Sequence, residues 1–179
     1  ESVDSEMPRG PYLPHPRASA YAQRARDALV GFGEEPSRLA LEMSQKAIEL
    51  DPKFALAHAL HAEACALSFM HGRGDAALLD QAESSFGRAE ALDRTLPDTM
   101  LARSRILWNK TFNFPAETAM RELLRALRID PNHAGALRMW ANVTGHLGLF
   151  ELMDVAIRRR LAADPNDQIM LLLRAGLHI

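Results

Sequence analysis

The sequence has only one cysteine, Cys65, in 179 residues. A single cysteine cannot form an internal disulfide, which favours a reducing compartment. The apolar runs are far shorter than the roughly 20 residues that span a bilayer, so no transmembrane segment is expected. The opening ESVDSEMPRG is polar and acidic, unlike a signal peptide. We therefore predict a cytoplasmic chain, and the missing initiator Met predicts an excerpt of a longer protein or a processed product.

An excess of charge of either sign is also lacking. The chain has 21 basic and 23 acidic residues, a formal net charge of −2 and a pI near 6.4. Such a chain has no overall attraction to nucleic acid or to an anionic membrane, so neither is predicted as a direct partner. Its 47% apolar and 25% charged residues are typical of a globular protein. The length suffices for one domain or one short repeat array.

Catalytic motifs are missing as well. The glycines of GFGEE, residues 31–35, lack both the lysine and the spacing of a phosphate-binding loop. Nothing in the sequence argues for a base or an electropositive neighbour that activates Cys65. The tripeptide RGD at 73–75 is short enough to arise by chance. We predict that the chain is not an enzyme and binds no cofactor.

Two groups of residues have both a functional and a structural interpretation. His58, His61 and Cys65 share one helical face, with His71 a turn or two beyond, and imidazole and thiolate are zinc ligands. The same positions can instead pack one helix against another, and we favour packing, with no metal site. The run Arg158 to Arg160 is predicted on the outer side of a helix, where a solvated charge cluster is favoured over a nucleic-acid contact.

What the sequence does contain is a repeated junction. It reads AIELDP, AEALDR, ALRIDP and RLAADP, and its aspartates are 42, 37 and 34 residues apart. Small residues recur eleven positions before, four before and eleven after each aspartate, with Met153 and Arg160 as exceptions. A period near 34 with such fixed offsets predicts one repeated supersecondary unit. The recurring small residues are Ala40, Ala82, Ala119, Ala47, Ala89, Ala126, Ala62, Ser104, Ala141 and Ala175.

The chemistry of the junction predicts a turn between two helices. Proline disfavours helix in the residue before it, so Asp-Pro ends the preceding helix. We expect the proline to lie in the first turn of the next helix, and the aspartate to accept from free N–H groups there. The small residues allow two helices to pack closely.

On these motifs the sequence resembles tetratricopeptide repeat (TPR) proteins, whose 34-residue unit is a pair of antiparallel helices. The resemblance implies an all-α, right-handed solenoid of about four repeats, at 18–50, 55–92, 97–129 and 134–163, with a final helix at 167–178. Arg94 stands in place of the junction proline, and Arg160 in place of a packing alanine. Repeats two and three carry extra residues, most obviously in an expected loop at 70–81, MHGRGDAALLDQ.

The phrases FALAHALHAEA and NFPAETAMRELLRALRIDPNHAGALRMWA are similar to TPR arrays attached to bacterial signalling proteins. The resemblance implies a protein-interaction module within a larger bacterial protein. The alternative is the sensory or regulatory part of a DNA-binding transcription regulator or a nucleotide cyclase. A self-associating scaffold is a third hypothesis.

The first helix of each pair lines the concave side of such an array, which binds partners. Leu101 and Trp108 are expected to supply apolar contact, and Arg105, Arg138 and Asn142 to bind carboxylates or backbone carbonyls of a peptide. Ala59 and Glu63 contradict the residue set of relatives that bind chaperone C-termini. The predicted groove residues are Arg26, Glu63, Leu101, Arg105, Trp108, Asn109, Arg138, Asn142 and His146. Ala22 in repeat one and Leu56 in repeat two are also expected to face inward.

Both ends of the sequence carry further expectations. Residues 1–17 hold four prolines and are predicted as an extended linker from an upstream domain. The alternative is an arm that docks Tyr12 and Leu13 on another surface. The last helix has six large apolar residues, from Ile169 to Leu177, which is too many for one inward stripe. Further sequence, a second copy of the chain or a neighbour's arm would cover them, so a homo-oligomer through this helix is a hypothesis.

Overall fold

The structure is a computed structural model that describes residues 12–177 apart from 32, 73 and 74. This part of the chain is all-α and forms nine α-helices with no strand. No helix in it is long and apolar enough to cross a membrane. The helices are α1 (Pro16–Ala28), α2 (Glu34–Leu50), α3 (Ala55–His71), α4 (Ala76–Leu92), α5 (Pro97–Leu107), α6 (Ala116–Ile129), α7 (Ala134–His146), α8 (Phe150–Ala163) and α9 (Gln168–Leu177).

The helices pack as consecutive pairs. Within each pair a first helix (α1, α3, α5 or α7) packs on the second helix that follows it (α2, α4, α6 or α8), and α9 is a first helix on α8. The first helices also contact one another in sequence, from α1 to α9. They therefore form one continuous side of the array, which we call the first-helix surface.

The junction aspartates end the second helices, as the sequence predicts. Asp51, Asp93, Asp130 and Asp164 are the C-caps of α2, α4, α6 and α8. Each carboxylate then accepts a hydrogen bond from the backbone N–H two residues on, at 2.8–3.2 Å. This closes a local turn of the kind that aspartate favours.

The expected role of the junction at the next helix is wrong. Pro52 lies in the turn, and α3 begins three residues later at Ala55. Phe54 N–H donates to the Asp51 carbonyl at 3.1 Å, which forms a β-turn across the proline. Because the aspartate is four residues away from the new helix, Phe54 rather than Asp51 is the N-cap of α3.

The small residues of the repeat lie at the closest contacts between helices. At the first three junctions, those of Asp51, Asp93 and Asp130, every alanine four or eleven positions before the aspartate is fully buried. The small residues eleven positions after it are fully buried as well. The two departures behave differently. Arg160, where an alanine is expected, is largely buried and paired with acids, and Ala175 in the last helix is exposed.

Two connections differ from expectation. The predicted loop at 70–81 is mostly helix, since α3 extends to His71 and α4 begins at Ala76. Asp75 caps α4 by accepting from Ala77 N–H at 3.0 Å. The longer irregular connection lies in the third pair, where α5 stops at Leu107 and a short 3-10 turn precedes α6.

The N-terminal arm contacts the first junction. Tyr12 Oη and the His15 N–H both donate to Asp51 Oδ2, at 2.6 and 2.8 Å. Leu13, which was also expected to dock, is exposed. The helix begins at Pro16, inside the range predicted as the arm. The rest of that arm, residues 1–11, lies outside the described residues.

Candidate functional site

A cleft opens on the first-helix surface where α1, α3, α5 and α7 meet. Its volume is about 170 Å³, and it has both apolar walls, such as Leu29, Val30 and Leu60, and charged ones. Five of the predicted groove residues line it. They are Arg26 from α1, Glu63 from α3, Leu101 and Arg105 from α5, and Arg138 from α7. We call this the ionic cleft.

One wall of the ionic cleft is an ion pair that joins the first and third pairs of helices. Arg26 Nη2 donates to Asp98 Oδ1 at 2.7 Å, across 72 residues of sequence, and His133 Nε2 lies 3.4 Å from the same oxygen. Burial alone would raise the pKa of Asp98, but the hydrogen bond with His133 and the charge of Arg26 outweigh it and lower that pKa. Asp98 is therefore a carboxylate at neutral pH.

A second ion pair crosses from α5 to α3. Arg105 Nη2 donates to Glu63 Oε1 at 3.1 Å, and both side chains are largely buried. Arg105 Nε is buried with no partner in the described part of the chain. The guanidinium that was expected to bind a ligand carboxylate is therefore already paired with a carboxylate of the chain itself.

The third ion pair fixes the start of the last helix. Arg138 contacts Asp167 Oδ2 at 2.7 Å, and Arg160 Nε contacts the same oxygen at 2.7 Å. Burial would raise the pKa of Asp167, but the hydrogen bonds from the two arginines lower it overall. Arg160 is thus part of a buried network and does not belong to a solvated cluster, which corrects the expectation for 158–160. Arg158 is exposed and pairs with Asp154 at 2.9 Å.

Asn142 and His146 line a different depression. It lies among α7, α8 and α9, has a volume of about 360 Å³, and has mostly apolar walls that include Phe150, Met153 and Leu172. We call it the α7–α9 groove. Seven of the nine predicted groove residues are therefore divided between two neighbouring depressions.

Trp108 and Asn109 are buried and line neither depression. The Trp108 ring packs edge-on against Phe114 and His146, with ring centroids 5.3 and 6.1 Å away. The Asn109 amide donates to the Ile106 carbonyl, and its oxygen accepts from Thr111 N–H at 2.8 Å. Both residues shape the connection after α5, so the expectation of direct apolar contact from Trp108 is corrected. Two predicted positions on α3 are also mostly covered: Ala59 is buried and Leu56 is half-buried.

The histidine and cysteine group of α3 lies inside the array. Cys65 Sγ is 3.3 Å from His61 Nδ1, and His58 Nε2 is 2.9 Å from the Pro52 carbonyl oxygen. Burial raises the pKa of the Cys65 thiol to about 12, which opposes formation of a nucleophilic thiolate. Among the described residues no group of three or more His, Cys, Asp or Glu side chains is placed to hold a metal ion.

Comparison with solved structures gives the fold a name. The chain is similar to the crystal structure of a thermophilic TPR protein from Thermus thermophilus, with a TM-score of 0.64. The match covers 91% of this chain and 80% of the other, at 20% sequence identity. The fold is TPR-like.

No protein-family model matches the sequence, and no curated protein is significantly similar to it. The structural match therefore shows a TPR-like repeat fold. The narrower resemblance to TPR arrays of signalling proteins stays a prediction.

Sequence reasoning missed three residues that form ion pairs in the site of this TPR-like array. Asp98, His133 and Asp167 were not predicted, although Asp98 and Asp167 each come shortly after a junction aspartate and face the first-helix surface. The feature that could have revealed them is an acidic residue at the start of a first helix, five residues after the junction aspartate for Asp98 and three residues after it for Asp167. Phe150, on the rim of the α7–α9 groove, had no signal beyond its apolar character.

Proposed function

We propose that the chain binds a peptide or protein segment along the first-helix surface. The ionic cleft supports this most directly, because residues of four different helices converge on it: Arg26, Leu60, Leu101 and Arg138. Concave sites assembled from several elements, with apolar walls and a few polar groups, are typical ligand sites. In stacked repeats the surface of the first helices is the one that binds partners.

The proposed contact residues would interact with the ligand in different ways. Arg26 is the most accessible cation, with 43% of its side chain exposed, and it would meet a ligand at the mouth of the cleft. Leu101 and Leu60 form the floor. Glu63, Arg105 and Arg138 are held by ion pairs, so they present fixed donors and acceptors at low entropic cost.

No catalysis is proposed. The fold is of a kind that is typically a non-catalytic scaffold, and the buried thiol of Cys65 has a pKa raised to about 12. Binding alone is therefore the proposed activity, and its ligand is a segment of another protein.

The test begins with peptides selected on the chain from a randomised display library. Val30, 37% exposed on the cleft wall, is changed to glutamate. The new carboxylate would be desolvated by a bound peptide, so we expect affinity to fall about tenfold or more, which is about 1.4 kcal/mol.

The matched control is Leu39→Glu on α2, a second helix, where the side chain is 42% exposed. Both variants should keep wild-type helicity by circular dichroism, because exposed positions contribute little to folding. Equal affinity of the two variants would place the binding surface elsewhere and contradict the proposal.

A further inference from the structure

We infer that the ligand is anchored by an uncharged, bulky apolar side chain in the α7–α9 groove, and that its charges contribute little to affinity. This rests on the proposed binding along the first-helix surface and specifies which chemistry is recognised there. Two independent features carry it: the neutral, open groove and the satisfied charges of the ionic cleft beside it.

The groove is the larger of the two depressions, at about 360 Å³, which lies within the range of ligand pockets, about 300–1,000 Å³. No residue that lines it carries a permanent charge. Met153, Leu173 and Leu177 form its inner walls. A charged ligand group would lose hydration here without gaining a permanently charged partner, whereas an apolar side chain would only remove apolar surface from water.

The rim of the groove exposes large apolar side chains to water, which is unfavourable unless a ligand covers them. Leu172 is 73% exposed and Phe150 is 58% exposed, and both line the groove. Contiguous exposed apolar surface with a polar surrounding marks contact sites. Two polar side chains, Asn142 and His146, also line the groove, and the Asn142 side chain has no hydrogen-bond partner in the described part of the chain. An amide offers one donor group and one acceptor, which matches a peptide backbone.

The arginines of the ionic cleft argue against an acidic ligand. Arg105 and Arg138 are paired with Glu63 and Asp167, whose carboxylates are almost fully buried. A ligand carboxylate that displaced either one would leave a buried, unpaired charge, which is a large cost. With the internal pairs kept, the cleft is close to neutral and gives an acidic peptide little advantage over a neutral one.

Gly176 allows the groove to be filled without disturbing the fold. It lines the groove within α9, and a Cβ added there would meet nothing within 4 Å. Gly87, in α4, is an exposed helical glycine with the same open surroundings. Both substitutions by leucine remove a helix-disfavouring glycine, so neither should reduce stability.

The experiment compares the affinity of library-selected peptides for the wild-type chain, Gly176→Leu and Gly87→Leu. We expect Gly176→Leu to weaken binding about tenfold or more and Gly87→Leu to leave it within about twofold. Replacing the apolar residues of a selected peptide by alanine should have a similar effect, while replacing its acidic residues by their amides should not.

Each other outcome has a definite meaning. Binding that survives Gly176→Leu but is lost in Val30→Glu would overturn the apolar anchor and leave the proposed function standing. A library that yields no binder would contradict both. A dimer in light scattering that Gly176→Leu converts to a monomer would show that a second copy occupies the groove, and would overturn the inference in that way.

Discussion

The side chain of His61, a residue of α3, is almost fully buried against α4. Its ring contacts Cys65 in the same helix and Ser85 in α4. Burial, together with a smaller effect from the charge of His58, lowers its pKa from 6.5 to about 4. The unfolded chain therefore binds more protons than the folded chain between these two values. The stability that the neutral imidazole contributes is complete above pH 6.5 and is lost as the pH falls toward 4.

The expected result is a fall in the free energy of unfolding of roughly 2–3 kcal/mol from this residue as the pH falls across that range. His61→Leu should be less pH-sensitive there, because the titrating group is gone. Urea unfolding at half-unit pH steps measures both chains. Parallel curves for wild type and variant would show that His61 keeps an ordinary pKa in the folded state.

Ala126, in α6, shows how a single methyl group sets the distance between helices. It is fully buried in the core cluster of the third pair. Ala126→Leu should overpack this contact and cost on the order of 1–3 kcal/mol. Ala91→Leu, at an exposed position of α4, is the control and should be nearly neutral. An unchanged melting temperature for the Ala126 variant would mean that α6 is misplaced against α5.

Residue types predicted the small-residue contacts well and the charged contacts poorly. A buried alanine recurs at a fixed offset from each of the first three junctions, so a local count finds it. The pair Arg26–Asp98 joins residues 72 apart, and Glu63–Arg105 joins residues 42 apart. Which of several acids an arginine meets depends on how one repeat stacks on the next, and no local pattern contains that information.

At the scale of elements, the junctions explain where the second helices end. The C-cap aspartates were predicted from Asp-Pro chemistry, but Pro52 was expected in the first turn of the following helix and lies in the turn before it. The reason is that the β-turn across Pro52 uses three more residues before the helix can begin. The connection after α5 was not predicted, because Asn113 and Phe114 adopt left-handed backbone angles that neither residue requires.

The last helix depends on one carboxylate. Asp167 accepts from Arg138, from Arg160 and from the Met170 N–H at the start of α9. Asp167→Ala would leave the largely buried Arg138 guanidinium unpaired and Arg160 with only the more exposed Asp164. We expect a loss of about 3–5 kcal/mol together with fraying of α9. Amide hydrogen exchange of α9 and urea unfolding give the two readouts.

Asp164→Ala is the matched control for that prediction. Asp164 also pairs with Arg160, but 41% of its side chain is exposed and a second carboxylate remains for the arginine. Its loss should cost about 1 kcal/mol or less. Similar effects of the two substitutions would contradict the central place of Asp167 in the network.

At the scale of the whole molecule, stacking of similar pairs turns separate helices into one binding surface. Each first helix contacts the next, and Arg26 reaches past α3 to the third pair. The ionic cleft and the α7–α9 groove therefore lie on one surface and can be occupied by one extended ligand. The cleft supplies fixed polar groups, and the groove supplies the apolar area that binding removes from water.

The most direct test of this account is chemical-shift mapping by NMR, with a selected peptide added to the isotope-labelled chain. We predict that the shifted amides fall on the first helices α1, α3, α5, α7 and α9 and on the start of α8, with the largest changes around Asn142, Leu172 and Gly176. The amides of the outer faces of α2, α4 and α6 should not move. Shifts concentrated on those second helices, with α7 and α9 unchanged, would contradict the binding surface proposed for this chain.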